Sequence, residues 1–305
     1  MSGPGSRCVP PGSRPMRGRC GSHRITGDNT QQKDKQEPMA TITAEMVREL
    51  REKTGVGMMD CKKALTDADG DMTKAVEGLR KAGMAKAEKK ATRTAKEGRV
   101  VVSMDKNVVA LVEVLCETDF VATNEKFQAY EKALAQRVAT SYSVDGDLSA
   151  QVVAAEKGAL ADLINVLGEN IQVRRVIRWQ TDGAFACYMH MGGKIGVLID
   201  AAGETDPKLL SDACMHIAAF SPRFVGPADV PAEVLAKEKE IAAAQVGDKP
   251  ANMIEKIVTG KISKWYNESC LMLQPWIRDD KKSLTKVAPN LKVKRFVRWQ
   301  VGESV

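Results

Sequence analysis

The sequence has no run long and apolar enough to cross a membrane: its best apolar stretch, Val108–Cys116, is too short and carries Glu113 in its middle. Its seven cysteines are scattered, with no C-x-x-C pair and no regular spacing, which fits reduced thiols in a cytoplasmic protein better than a disulfide framework. Only three histidines are present, too dispersed for a zinc cluster, and no metal or cofactor site is expected. Aromatic residues make up 5% of the chain, and none interleaves with the basic stretch Lys86–Arg99, so the stacking surface that single-stranded nucleic acid needs is lacking. That stretch reads as an exposed helix or linker with a solvated face. The net charge of +7 is unevenly held, because residues 1–38 carry five Arg and two Lys against two Asp and one Glu, leaving +3 for the remaining 267 residues.

Enzymatic chemistry is equally scarce. Gly55–Lys63 has the glycines of a phosphate loop, but no Gly-Lys-Ser/Thr follows and no strand precedes. Asp67, Asp69 and Asp71 are spaced like calcium ligands, yet Gly70 stands at loop position four and Gly78 where a Glu is required at twelve. Cys187 with His190, and Cys214 with His216, lack an orienting third group, and no Gly-x-Ser-x-Gly elbow exists. Catalysis is not expected. His216, set among apolar residues, reads as structural.

Residues 1–38 are rich in Gly, Pro, Ser and Arg without apolar periodicity, which predicts a disordered extension. Scarce acids match a transit peptide, but the Pro and Gly density opposes its amphipathic helix, so an extension upstream of a start at Met39 is expected. Residues 40–83 predict three short helices: Thr43 caps the first and Gly55 ends it, Met59–Ala68 is the second, closed by Gly70, and Asp71 caps the third. Further on, Ile171–Gln180 recurs 120 residues later as Leu291–Gln300, with five of ten positions identical. Each copy follows a helix-ending Asn, Asn170 or Asn290, and alternates as a strand. The strand at Ile195–Ala201, followed by Glu204-Thr205-Asp206, echoes the one leading into Glu117-Thr118-Asp119. The expected fold is α+β: a helical module at 39–92, core halves at 93–180 and 181–305, and an antiparallel helical hairpin inserted at 228–266. In that insertion Ile254, Val258, Ile262 and Trp265 form an apolar stripe, either the hairpin seam or a partner surface.

The two halves differ at one informative place. Glu117-Thr118-Asp119-Phe120-Val121 sets a carboxylate beside a large aromatic where an apolar strand gives way to a helix capped by Asn124. The second half has Asp206-Pro207 there, a cap and an N1 proline, with no aromatic. Phe120 is therefore either a probe of another surface or a plug in its own core, and position alone leaves both open.

The same residues carry a resemblance. Leu50-Arg51-Glu52-Lys53-Thr54-Gly55-Val56-Gly57-Met58-Met59-Asp60-Cys61-Lys62-Lys63-Ala64-Leu65 and Glu113–Ala122 resemble the two signature motifs of elongation factor Ts. The similarity continues through Leu167-Gly168-Glu169-Asn170, His190, Gly192–Val197, His216–Ala219, Ile254–Val258 and Gln274-Pro275, so it runs from about Met39 to the C-terminus. The resemblance implies a ubiquitin-associated-like helical module and a guanine-nucleotide exchange factor for the GTPase elongation factor Tu, with no nucleotide site of its own. It implies that Thr118, Asp119, Phe120 and Val121 displace magnesium from the partner, and that Leu167 and His190 add contacts. Leu115, Thr123 and Trp276 depart from the family pattern, where Asn, a basic residue or Asn, and Phe are usual. The rival reading is a basic adaptor that binds RNA or the ribosome through the first 99 residues.

Overall fold

Residues 41–203, 205–246 and 250–304 are described by the computed structural model of the chain. The expectations for residues 1–38 and for Glu204, and residues 247–249 of the expected hairpin, fall outside them. Helix α1 (Ala44–Thr54) begins where the Thr43 hydroxyl accepts the Met46 N–H and stops at Gly55, which is left-handed at φ 68°. Helices α2 (Met58–Asp67) and α3 (Met72–Lys90) follow. The Asp71 carboxylate accepts the N–H groups of Lys74 and Thr73 at the start of α3, and these bonds lower its pKa. Val47, Leu50, Val56, Cys61, Leu65, Ala75 and Leu79 close a small core among the three helices.

Two expectations are corrected here. α3 runs to Lys90, well past residue 83, because tertiary contacts extend it: Gly83 lies against Asn165, and the Lys90 ammonium donates to the Gly168 carbonyl at 2.7 Å. Nor is Lys86–Arg99 a solvated face throughout. Lys86 pairs with Asp60 at 2.8 Å, and Arg99 lies on a strand, 3.2 Å from the fully buried Glu131.

Strands β1 (Glu97–Asp105) and β2 (Val108–Cys116) form a hairpin. The chain continues through α4 (Asp119–Ala122), α5 (Glu125–Ser141), β3 (Gly146–Asp147) and α6 (Ser149–Leu167), and returns as β4 (Gln172–Gln180), antiparallel to β2. The sheet order is β1-β2-β4-β3. A second hairpin, β5 (Ala184–His190) and β6 (Ile195–Gly203), leads into α7 (Pro207–Phe220), α8 (Ala232–Ala244) and α9 (Ala251–Ser269). After β7 (Pro275–Trp276), β8 (Asp279–Ser283) and α10 (Leu284–Val287), strand β9 (Leu291–Gln300) pairs antiparallel with β6, giving the order β5-β6-β9. β7 and β8 pair as a separate two-stranded sheet; the fold is α+β, and its two larger sheets share one connectivity apart from the edge strand β3.

The repeated sequence occupies β4 and β9 in matching registers, with Val108 opposite Gln180 as Ile195 is opposite Gln300. Both ladders are bulged, after Glu113 in one and after Asp200 in the other. Each of these acids is buried, and each faces an arginine of the repeat: Arg175 Nε donates to Glu113 at 2.6 Å, Arg295 Nε to Asp200 at 3.0 Å. Each guanidinium then stacks on the tryptophan of the opposite sheet, Arg175 4.8 Å from the Trp299 ring centre and Arg295 4.5 Å from that of Trp179. This reciprocal exchange sets the sheets face to face over Val100, Val109, Leu111 and Leu198. Helices α5 and α6 cover the outer face of the first sheet, α7 that of the second. β2 is consequently buried on both faces, which explains its almost unbroken apolar sequence.

α8 and α9 lie side by side, with Lys261 donating to Gln245 at 2.7 Å. Of the predicted stripe only Ile262 is buried, beside the buried Ala242; Ile254, Val258 and Trp265 are half-buried.

Candidate functional site

β2 ends at Cys116 because the next backbone groups find their partners outside the ladder. α6 stops at Gly168, left-handed at φ 82°, and not at the expected Asn170. Glu169 then reaches the turn after β2: its Oε2 accepts the N–H groups of Glu117 (3.1 Å) and Thr118 (3.0 Å), and its Oε1 accepts the Thr118 hydroxyl (2.6 Å). Glu117 answers in kind, its Oε1 accepting the Asn170 N–H at 2.7 Å, while Asn170 Nδ2 donates to the Arg93 carbonyl at 2.7 Å. The Cys116 thiol donates to the Thr118 carbonyl at 3.1 Å, and burial, aided by the Glu169 charge, pushes its pKa up to about 12, so it is an inert structural thiol.

Thr118 begins α4, its side-chain oxygen accepting the Val121 N–H at 3.4 Å. In this single turn Val121 and Ala122 sink into the core of the first sheet, which leaves Asp119 and Phe120 on the opposite side. Asp119 is exposed, and Phe120 is 82% exposed. Thr123 closes the turn by donating to the Phe120 carbonyl at 2.9 Å, and the Asn124 side chain accepts the Lys126 N–H at 2.9 Å to begin α5. The core plug of this region is a different ring, Phe127, which is fully buried. Phe120 forgoes the roughly 1.5–3 kcal/mol that burying such a side chain yields.

Leu167 is half-buried against the same core, with Leu160 and Ile164 of its helix deeper. His190 is exposed at the end of β5, its Nδ1 3.0 Å from the Tyr188 hydroxyl, and Met191 at the hairpin tip is 72% exposed. The tip is tied to β1. Gly193, at φ 96°, passes so close that a Cβ there would lie 2.7 Å from the Val100 carbonyl oxygen, and the Lys194 ammonium bonds both the Glu97 carboxylate and the Gly98 carbonyl (3.3 Å). Since Glu97 faces Cys116 across the ladder, the His190 tip and the Thr118 turn stand at the same end of the molecule.

The equivalent turn of the second half differs as its sequence requires: Asp206 accepts the Leu209 N–H at 2.8 Å, and Pro207 occupies the place of Phe120. Of the departing positions, Leu115 is buried in β2 and Trp276 is buried 5.3 Å from His216. His216 is fully buried, its Nε2 2.9 Å from Gln274 Oε1, and burial lowers its pKa. Among the described residues no cluster of His, Cys, Asp and Glu could hold a metal ion, and no helix is long and apolar enough to cross a membrane. Sequence reasoning missed Glu169 as a member of the site; its signal was a carboxylate directly after a helix-ending glycine.

The arrangement holds an acid and an aromatic away from the protein's own core on a short turn tied by hydrogen bonds at both ends. A family model described as elongation factor TS matches residues 117–303. The elongation factor Ts of Protochlamydia amoebophila is 40% identical over 282 residues, covering 87% of this chain and 100% of that protein. Those of Thioalkalivibrio sulfidiphilus (46% over 278 residues) and Clostridium botulinum strain Alaska E43 (44% over 288) each cover 87% of this chain and 94% of their own length. The chain belongs to the elongation factor Ts family, a family of translation elongation factors.

Proposed function

We propose that this chain is a cytoplasmic guanine-nucleotide exchange factor for the GTPase elongation factor Tu, not an enzyme, and that it acts by displacing magnesium and disturbing the phosphate site of its partner. The observation that carries the reading is Phe120, a large aromatic left 82% exposed on a turn whose other apolar members are buried. Bound magnesium and its phosphate contacts dominate nucleotide affinity in such GTPases, so wedging a side chain beside them lowers the barrier to release. In this reading the Phe120 ring enters an apolar gap of the partner, Asp119 makes polar contacts beside it, and Thr118 and Val121 hold the turn. His190 and Leu167 contribute further contacts.

The organisation follows the same reading: residues 39–92 form a ubiquitin-associated-like docking module, 93–180 and 181–305 are the two core halves, and 228–266 is an inserted helical hairpin. The exposure of Met58 (53%) and Met59 (76%) supports docking by the first of these. The pairing of Arg99 with the buried Glu131 and of the Lys90 ammonium with the Gly168 carbonyl speaks against an RNA-binding adaptor, since these two cations of the basic stretch are engaged by the fold. Release of fluorescent GDP from purified elongation factor Tu, with and without this chain, tests the proposal.

A further inference from the structure

Phe120 has almost no support of its own, so the direction of its ring is set by the backbone from Glu117 to Ala122. One end of that backbone is held by packing, through Val121 and Ala122. At the other end the Cys116 thiol donates to the Thr118 carbonyl, and the Glu169 carboxylate, which arrives from more than fifty residues away, accepts two N–H groups and a hydroxyl at 3.1, 3.0 and 2.6 Å. Bonds to an ionised carboxylate are shorter and about twice as strong as neutral ones. Without it, two partly buried N–H donors and the Thr118 hydroxyl lose their acceptor together. The Thr118 hydroxyl is also the cap of α4, so the loss would pass directly into the turn that carries Asp119 and Phe120.

We infer that Glu169 is a positioning residue for nucleotide exchange: its carboxylate locks the Thr118 turn so that Asp119 and Phe120 meet the partner pre-oriented. Leu167-Gly168-Glu169-Asn170 thus serves the site from within, Gly168 ending α6 so that Glu169 can face the turn. This inference rests on the exchange-factor reading, and its test separates the two.

The test compares Glu169→Ala, Glu169→Gln and Thr118→Val, alone and combined with Phe120→Ala, in fluorescent-GDP release from elongation factor Tu. In parallel, amide hydrogen exchange of the free chain is followed at Glu117 and Thr118. Glu169→Ala should slow nucleotide exchange about tenfold, and Phe120→Ala added to it should cost less than about threefold more, because residues acting as a unit are not additive. Glu169→Gln keeps an oxygen for the two N–H groups and should stay within about threefold of the parent. In Glu169→Ala the Glu117 and Thr118 amides should lose protection while the interior of β2 keeps it. Fully additive effects, or unchanged protection of the two amides, would overturn the inference. So would a Glu169→Ala protein that exchanges normally while Phe120→Ala does not. If Glu169→Ala does not fold, Thr118→Val, which removes only the hydroxyl, must show the same non-additivity with Phe120→Ala, and additivity there overturns the proposal. If the parent chain releases no GDP, the exchange reading itself fails, whereas the amide protection still reports whether Glu169 holds the turn.

Discussion

Replacing Phe120 by alanine separates a probe from a core residue by magnitude. A buried phenylalanine truncated to alanine costs about 3–5 kcal/mol of stability, through lost transfer energy and the cavity left behind. Phe120 has little of either to lose, because 82% of it already faces water and the packing of α4 is done by Val121 and Ala122. The substitution should therefore shift stability by no more than about 0.5 kcal/mol, as for other surface changes. In the proposed complex the ring occupies a fitting pocket, where truncating a central aromatic costs about 2 kcal/mol or more. If that energy is realised at the transition state for release, the exchange rate falls by tenfold or more, since about 1.4 kcal/mol corresponds to a factor of ten. Urea denaturation measures the first quantity, and stopped-flow release of fluorescent GDP the second. A stability loss near 3 kcal/mol with proportionate loss of exchange would refute the reasoning, as would a variant that exchanges at the parent rate.

Two further predictions concern the scaffold. Glu131 is fully buried on α5, and burial raises its pKa to about 7 against the opposing pull of Arg99 at 3.2 Å. Its folded pKa lies above the unfolded value, so its contribution is complete below about pH 4.5 and is lost as pH rises through about 7; Glu131→Gln should flatten this part of the stability–pH curve measured by denaturation between pH 4.5 and 8. Arg175→Ala strips the fully buried Glu113 of its 2.6 Å partner, leaving Arg174 at 3.5 Å, and should cost about 3 kcal/mol or more in urea unfolding. Arg175→Lys should fall between, because an ammonium cannot reproduce a planar fork that bonds Glu113 and stacks on Trp299.

Much of this architecture is legible as local pattern. Thr43, Gly55 and Asp71 mark helix ends because capping is chemistry within a few residues, and the repeat at 171–180 and 291–300 alternates because each copy is a strand with one face toward the other sheet. What escapes the sequence is long-range. The extension of α3 to Lys90 depends on Asn165 and Gly168, and the half-burial of Arg99 depends on a glutamate of α5. The exchange of Arg175 and Arg295 between the tryptophans of opposite sheets needs both halves in place before it can be read. At the site, the Asp-Phe pair stands out where a strand ends, but whether Phe120 faces inward or outward is decided by Val121 and Ala122 taking the core positions. Glu169 is marked in the sequence only by its place directly after a helix-ending glycine, because nothing local ties a carboxylate after α6 to the amides of a turn more than fifty residues earlier.

The most direct measurement follows nucleotide release and binding together on elongation factor Tu. An exchange factor must bind the nucleotide-free GTPase more tightly than the GDP-bound one, and the coupling is reciprocal. Increasing concentrations of this chain should accelerate fluorescent-GDP release to a plateau, and added GDP should dissociate the complex, more strongly as free magnesium is raised. Saturated binding with an unchanged release rate, and a complex indifferent to both GDP and magnesium, would contradict the account.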